Sequence, residues 1–185
     1  TYPNAEEIFV TGSSAGSFPS TFYALKSSND YPDAEISAFN DATGGLKSME
    51  TIDIEGLWNL NETMEYFSLL GEVTFNNMTS AQIVIEPYEE NPEIRFARYD
   101  NAYDNTMRYF NGLLDNAPFD YNEQIRISEN EIEEAGVDIS AYIAPGDAHT
   151  ILGASSFYDL EVEGVSFLEW FTSFVEGEQP EDVHC

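Results

Sequence analysis

A serine between two glycines, a histidine on a distant loop and carboxylates lying between them in sequence are the residues here whose types and order suit nucleophilic acyl chemistry. The serine is Ser14, in Ile8-Phe9-Val10-Thr11-Gly12-Ser13-Ser14-Ala15-Gly16, where an apolar strand runs straight into Gly-x-Ser-x-Gly. That pattern marks the sharp strand-to-helix turn that lifts a nucleophile above a sheet. Glycine is expected at both 12 and 16, because the turn brings strand and helix so close that a Cβ at either position would clash. Ser14 would stand at a helix N-terminus, where backbone N–H groups favour developing negative charge, and the Ala15 amide is the candidate oxyanion donor. Three fixed positions are a weak signal alone. The strand formers ahead of Gly12, and residues 15–25, which can continue as a helix, sharpen it. Pro19 disagrees locally, since its missing N–H falls just beyond the first turn.

A serine hydroxyl is a weak nucleophile until a base takes its proton, and an imidazole oriented by a carboxylate is the usual arrangement. The chain has two histidines. His184 is penultimate, in a polar tail, and reads as a solvent-exposed residue. His149 follows the strand-turn segment 142–147, which places it on a loop at a strand's carboxyl end, where doubly wound sheets carry their chemistry. An isolated loop histidine is more often structural, so it is Ser14 that makes His149 the candidate base. Hydrolases with this elbow run serine, acid, histidine along the chain. Asp100 and Asp104, in Arg98-Tyr99-Asp100-Asn101-Ala102-Tyr103-Asp104, both follow an extended segment, and the residues themselves prefer neither. In a chain this acidic, a carboxylate is by default a surface group.

Thirty-five acidic against six basic residues give a net charge of −29, which repels phosphate backbones and anionic lipid and removes nucleic acid from the expected partners. The acids are scattered, and no Asp-x-Asp-x-Asp-Gly calcium loop occurs, so they read as a solvated face rather than a metal site. At 185 residues, 42% hydrophobic and 14% aromatic, the chain is long and apolar enough for a single folded domain with a sizeable core. No apolar run is long enough to span a bilayer, and the N-terminus lacks a basic segment followed by an apolar one. Cys185 is the lone cysteine and cannot staple its own chain. Two sequons, at Asn61 and Asn77, suit a secreted glycoprotein, although a chain this rich in Asn, Ser and Thr carries about two by chance.

Strands and helices alternate around these residues. Residues 34–40 alternate as a strand, 51–80 hold helical patches including 64–70 that would cover a sheet face, and 81–85 read as a buried strand followed by a loop over 86–92. Residues 94–99 are extended and lead into a helix over 102–114, 125–127 are ambiguous, and 142–144 form a last strand closed by Pro145-Gly146. Ser166-Phe167-Leu168-Glu169 has the capping-box form and opens a terminal helix whose apolar face includes Phe167, Phe171 and Phe174. The alternation predicts an α/β fold, a parallel sheet with helices on both faces.

The order of five segments adds a resemblance. Thr11-Gly12-Ser13-Ser14-Ala15-Gly16, Phe39-Asn40-Asp41-Ala42-Thr43-Gly44, Ala102-Tyr103-Asp104, Ala144-Pro145-Gly146-Asp147-Ala148-His149, and Gly164-Val165-Ser166-Phe167-Leu168-Glu169-Trp170 with Val183-His184-Cys185 together resemble the pectin acetylesterase family, which includes the Notum carboxylesterases and secreted bacterial relatives. The likeness runs nearly end to end. It implies an α/β-hydrolase with Ser14 as nucleophile, His149 as base and Asp104 as acid, since Ala102-Tyr103-Asp104 matches the family's acid motif. It also implies an extracellular enzyme that removes acyl groups, often acetyl, from polysaccharides or glycoproteins with no metal or organic cofactor.

The chain departs from that family in having Gly16-Ser17 where two glycines are common, and in lacking a cysteine near the histidine. Hydrolases of this kind also carry strands ahead of the elbow strand, and a loop after one of them donates the second oxyanion N–H. Here the elbow strand begins seven residues in, and no Gly-Gly-Gly-Trp segment is present. The expectation is the C-terminal part of a longer polypeptide, with Cys185 paired to the remainder and an open sheet edge beside the elbow strand. The competing expectation is a non-catalytic, hydrolase-like structural or binding subunit of an extracellular assembly.

Overall fold

Runs of β-branched, aromatic and small residues buried on both faces build the central strands of a parallel sheet. The structure, a computed structural model, describes residues 2, 4–46, 62, 78–114 and 120–185. Strands β1 (Glu7–Ser13), β2 (Glu35–Asp41), β3 (Arg95–Asn101) and β4 (Ile139–Ala144) pair side by side in chain order. A short antiparallel hairpin follows, β5 (Glu161–Val162) and β6 (Val165–Ser166). The chain then returns to add β7 (Val183–His184) beside β4, so 142–144 is not the last strand. All five strands of the sheet run parallel, in the order β1-β2-β3-β4-β7. β1 forms one edge, its residues alternating between exposed and half-buried.

Helices cover both faces. On one, Ile36, Ala38 and Phe96 pack against α1 (Ser20–Asp30) and α2 (Gln82–Glu90), with Ile132 of a later helix joining them. On the other, Phe39, Tyr99 and Tyr142 meet Phe167, Trp170 and Phe174 from the C-terminal helix (Phe167–Val175) in an aromatic cluster. Phe167 stands edge-on to Tyr99 and Tyr142 at 5.2 and 5.1 Å between centroids. Between β3 and β4 lie α3 (Asn105–Leu114) and α4 (Tyr121–Glu134), and the C-terminal helix is α5.

The expected strand at 81–85 and loop at 86–92 are replaced by α2, and its side chains explain why. Thr79 and Gln82 exchange backbone-to-side-chain hydrogen bonds of 2.9 and 3.3 Å in the capping-box manner. Ile83, Val84 and Pro87 then fall on one buried face at helical spacing. Pro87 removes the N–H that would bond the Ile83 carbonyl, and the Thr21 hydroxyl of α1 donates to that carbonyl instead. The ambiguous 125–127 lie inside α4, whose N-cap Asp120 accepts from the Glu123 amide. Residues 64–70 lie outside the described residues.

Glycine is required at position 12 and not at 16. A Cβ on Gly12 would come within 2.0 Å of the Gly16 carbonyl oxygen and 2.8 Å of the Ser17 nitrogen, all backbone, whereas one on Gly16 meets nothing within 4 Å. The expected clash at both positions therefore holds only at the first, because Gly16 faces out of the turn. Gly12→Ala should cost about 1–3 kcal/mol or more, a fall in Tm of several degrees, while Gly16→Ala stays within about 0.5 kcal/mol. Thermal melts of the two variants check the contrast.

Candidate active site

Parallel pairing sends every carboxyl end to one rim, and three loops there supply the candidate residues. Ser14 leaves β1 directly, in a turn of 3₁₀ helix (Ser14–Gly16), with its backbone held at φ +55°. A serine in the left-handed region that glycine favours is strained, as the residue at the apex of a tight elbow is. The helix begins at Ser20 rather than at 15, with Pro19 in the N-cap position, where a missing N–H breaks no helical bond. Ala15 is exposed in the turn immediately after Ser14.

His149 follows β4 and faces both partners at once. Its Nε2 lies 2.7 Å from Ser14 Oγ and its Nδ1 2.6 Å from Asp104 Oδ2. An ionised carboxylate only accepts, so the proton sits on Nδ1 and the Nε2 lone pair faces the serine hydroxyl. The Asp104 carboxylate is itself fixed. Its other oxygen accepts from the amides of Thr106 and Met107 at 2.8 and 2.9 Å, capping α3, which is why that helix starts at Asn105 and not at 102. The side chain of Asp104 is fully buried and that of His149 is 19% exposed, so one end of the chain of bonds is dry and the other opens to solvent.

Asp100, the other candidate acid, is not brought to the imidazole. It points to the opposite face of β3, where its oxygens accept from the Gly44 amide at 2.9 and 3.1 Å and from the Tyr121 hydroxyl at 2.8 Å. Burial pushes its pKa up to about 7 despite the Arg98 guanidinium nearby. A Cβ on Gly44 would strike Asp100 Oδ2 at 2.2 Å, so that glycine is part of the carboxylate's seat.

Backbone hydrogen bonds zip the acid loop to the base loop: Ala102 to Ala144 at 2.8 Å, Tyr103 to Gly146 at 3.0 Å and Asn105 to Asp147 at 3.1 Å, each given as amide to carbonyl. The serine loop is tied in differently, through a residue of the Phe39-Asn40-Asp41-Ala42-Thr43-Gly44 segment to which the sequence alone assigns no role. Asp41, at the end of β2 and fully buried, accepts from the Ser13 hydroxyl at 2.7 Å and from the amides of Ile151 and Leu152 at 2.9 and 3.1 Å. The signal in the sequence was an acid closing the strand next to the elbow strand.

The remaining sequence candidates take no part in this line of hydrogen bonds or fall outside the described residues. His184 is on β7, half exposed and 3.1 Å from Glu129 Oε1. Cys185 is an exposed free thiol. Asn61 and Asn77 fall outside the described residues. Among the described residues, no cluster of His, Cys, Asp and Glu is set to hold a metal ion, and no helix is long and apolar enough to cross a membrane. No protein-family model matches the chain, and no curated protein matches it in sequence.

The Asp104 hydrogen bond is the largest cause raising the His149 pKa above its ordinary 6.5; burial opposes it, and the charges of Asp104, Asp41 and Asp100 add to it. A histidine raised on folding contributes stability that is fully present below about pH 6.5 and is lost as pH rises through the folded value. NMR titration of the imidazole should therefore give a midpoint above 6.5, and Asp104→Asn should bring it down by more than Asp100→Asn does. A wild-type midpoint at or below 6.5 would mean that burial outweighs the Asp104 hydrogen bond at this imidazole.

Proposed function

We propose that this chain is a serine carboxylic-ester hydrolase that removes acyl groups, acetyl foremost, from polysaccharide or glycoconjugate through an acyl-enzyme. The observation that carries the reading is the unbroken line of hydrogen bonds from Ser14 Oγ through His149 to Asp104, at 2.7 and 2.6 Å. Polar residues so far apart in sequence have no packing reason to meet in this donor–acceptor order. The strained φ at Ser14 and the clash-limited Gly12 support the same reading, since both belong to a turn shaped to present one hydroxyl.

In this reading His149 Nε2 takes the Ser14 proton as Oγ attacks the ester carbonyl carbon. The carbonyl oxygen gains the negative charge beside the Ala15 amide, the one oxyanion donor the sequence identifies. Collapse of the tetrahedral intermediate breaks the carbon–oxygen bond to the alcohol, which leaves with the proton that the imidazolium held. Water then repeats the sequence on the acyl-enzyme: His149 takes its proton, the carboxylic acid departs and Ser14 recovers its hydrogen. Asp104 holds the Nδ1–H tautomer throughout and stabilises the imidazolium, without itself being protonated.

The α/β-hydrolase assignment draws on the elbow strand being followed by three parallel strands in chain order, with the acid after β3 and the base after β4. The substrate class and extracellular setting draw on the likeness of the motif order to pectin acetylesterases. An exposed turn at Ala15 and an exposed Tyr103 beside Asp104 are compatible with a bulky carrier reaching the serine from solvent.

A fluorophosphonate probe should label the wild-type protein once, at Ser14, and Ser14→Ala should abolish labelling while leaving the melting temperature within a few degrees. Hydrolysis of p-nitrophenyl acetate should fall with it, by about a thousandfold or more. Native protein that neither labels nor turns over this ester would favour a structural or binding subunit instead.

A further inference from the structure

We propose that Asp41 is a positioning residue that registers the serine elbow against the histidine loop, acting through Ser13 on one side and through the Ile151 and Leu152 amides on the other. The inference rests on the esterase reading and deepens it, because that reading leaves unexplained how the serine comes to face the base.

Two of the three loops are joined by backbone. The acid and base loops share the Ala102–Ala144, Tyr103–Gly146 and Asn105–Asp147 amide-to-carbonyl bonds, so Asp104 and His149 move together. The serine is on the far side of β2, and Asp41 bridges that gap. In the parallel register Asp41 lies opposite Ser13, the residue before the nucleophile, and their side chains meet at 2.7 Å. The same carboxylate accepts from Ile151 and Leu152, just beyond His149.

The backbone on either side of the bridge is held where L residues resist. Ser14 has φ +55°, Ala42 φ +72° and Thr150 φ +64°, and each directly follows a partner of the bridge, Asp41 itself or His149. A β-branched threonine in the left-handed region persists only when its surroundings over-determine it. Three hydrogen bonds to one buried carboxylate supply that determination at the point where the loops converge. The rest of the Phe39-Asn40-Asp41-Ala42-Thr43-Gly44 segment holds the far side of the elbow: Asn40 donates to the Ser17 carbonyl at 2.6 Å, and the Ser17 hydroxyl donates to Thr43 Oγ1 at 2.9 Å.

Asparagine cannot replace this carboxylate. Asp41 Oδ1 faces the Ile151 N–H, while Oδ2 faces the Leu152 N–H and the Ser13 hydroxyl, so an amide NH₂ in either orientation sets a donor against a donor. Replacing Ser13 by alanine removes only the elbow side of the bridge. The charges acting on the imidazole are Asp104, Asp41 and, from the opposite face of β3, Asp100, so loss of Asp41 both loosens and partly uncharges the surroundings of His149.

The test is the rate of Ser14 labelling by a fluorophosphonate as a function of pH, for wild type, Asp41→Asn and Ser13→Ala, with NMR hydrogen exchange of the Ile151 and Leu152 amides. Asp41→Asn should label about ten- to a hundredfold more slowly, its acid limb should shift to lower pH, and both amides should lose protection. Ser13→Ala should label severalfold more slowly with the two amides still protected. Should Asp41→Asn fail to fold, Ser13→Ala decides the matter, since wild-type labelling in that variant removes the elbow side of the bridge. Wild-type rate and an unshifted limb in folded Asp41→Asn would overturn the proposal while leaving the esterase reading intact; absence of labelling in the wild type itself would overturn the esterase reading, and the positioning role with it.

Discussion

Parallel pairing carries the carboxyl end of each strand to the same rim, and everything at the candidate site depends on how the loops leaving that rim are held to one another. A strand fixes its own last residue through its neighbours, but Ser14, Asp104 and His149 all lie beyond the last paired residue of their strands. Hydrogen-bond reach tolerates errors of a few tenths of an ångström, so the loops must be pinned independently of the sheet. The acid and base loops are pinned by main-chain bonds, which need no particular side chains. The serine loop is pinned by a carboxylate. That difference makes the serine side the one a single substitution can detach.

The sheet in turn depends on what fills its faces. Phe39, Tyr99 and Tyr142 from three adjacent strands meet one helix through Phe167, so a ring from α5 contacts or approaches β2, β3 and β4 together. Burying each such side chain is worth about 2–3 kcal/mol, with a further fraction for edge-to-face geometry. On the opposite face the filling is more polar towards the rim: Arg98 is buried and reaches Glu129, Ser128 and the Ile125 carbonyl of α4. One of the chain's six basic residues is thus spent inside, where it sits near Asp100. The strongly negative surface does not extend unopposed into the core.

Much of this was legible in the sequence, and the reasons are local. The elbow could be read because strand formers, glycine and serine are contiguous there, and β2, β3 and β4 because short apolar runs bounded by turns have few other uses. Ile83-Val84-Ile85 misled because β-branched residues favour strands on average, whereas the Thr79–Gln82 cap and the Thr21 bond to the Ile83 carbonyl decide for a helix, and the second of these comes from a different helix. Asp100 and Asp104 could not be separated by residue type. What separates them is where β3 stops: at Asn101, which leaves Asp100 inside the sheet pointing towards Tyr121 and lets Asp104 cap the next helix. Asp41 was invisible as a participant for a related reason, since two of its three partners are amides more than a hundred residues away.

Three aspartates, 41, 100 and 104, are fully buried at or near this rim, and their surroundings set them apart chemically. Asp104 is held by two helix N-terminal amides and the imidazole. Asp100 has the Gly44 amide, the Tyr121 hydroxyl and a nearby guanidinium, yet burial and the neighbouring Asp104 charge still raise it. Asp41 is also raised by burial, against the pull of Ser13, Leu152, Ile151 and His149. All three charges favour an imidazolium at position 149, which in the proposed reaction stabilises the charged base that acyl transfer would generate but also keeps more of it protonated beforehand. The two effects oppose each other below the imidazole pKa and cease to above it. Under the proposed mechanism, a site with this much buried negative charge gains from its carboxylates chiefly on the alkaline side of the histidine titration, where the base is free and the transition-state charge is still stabilised.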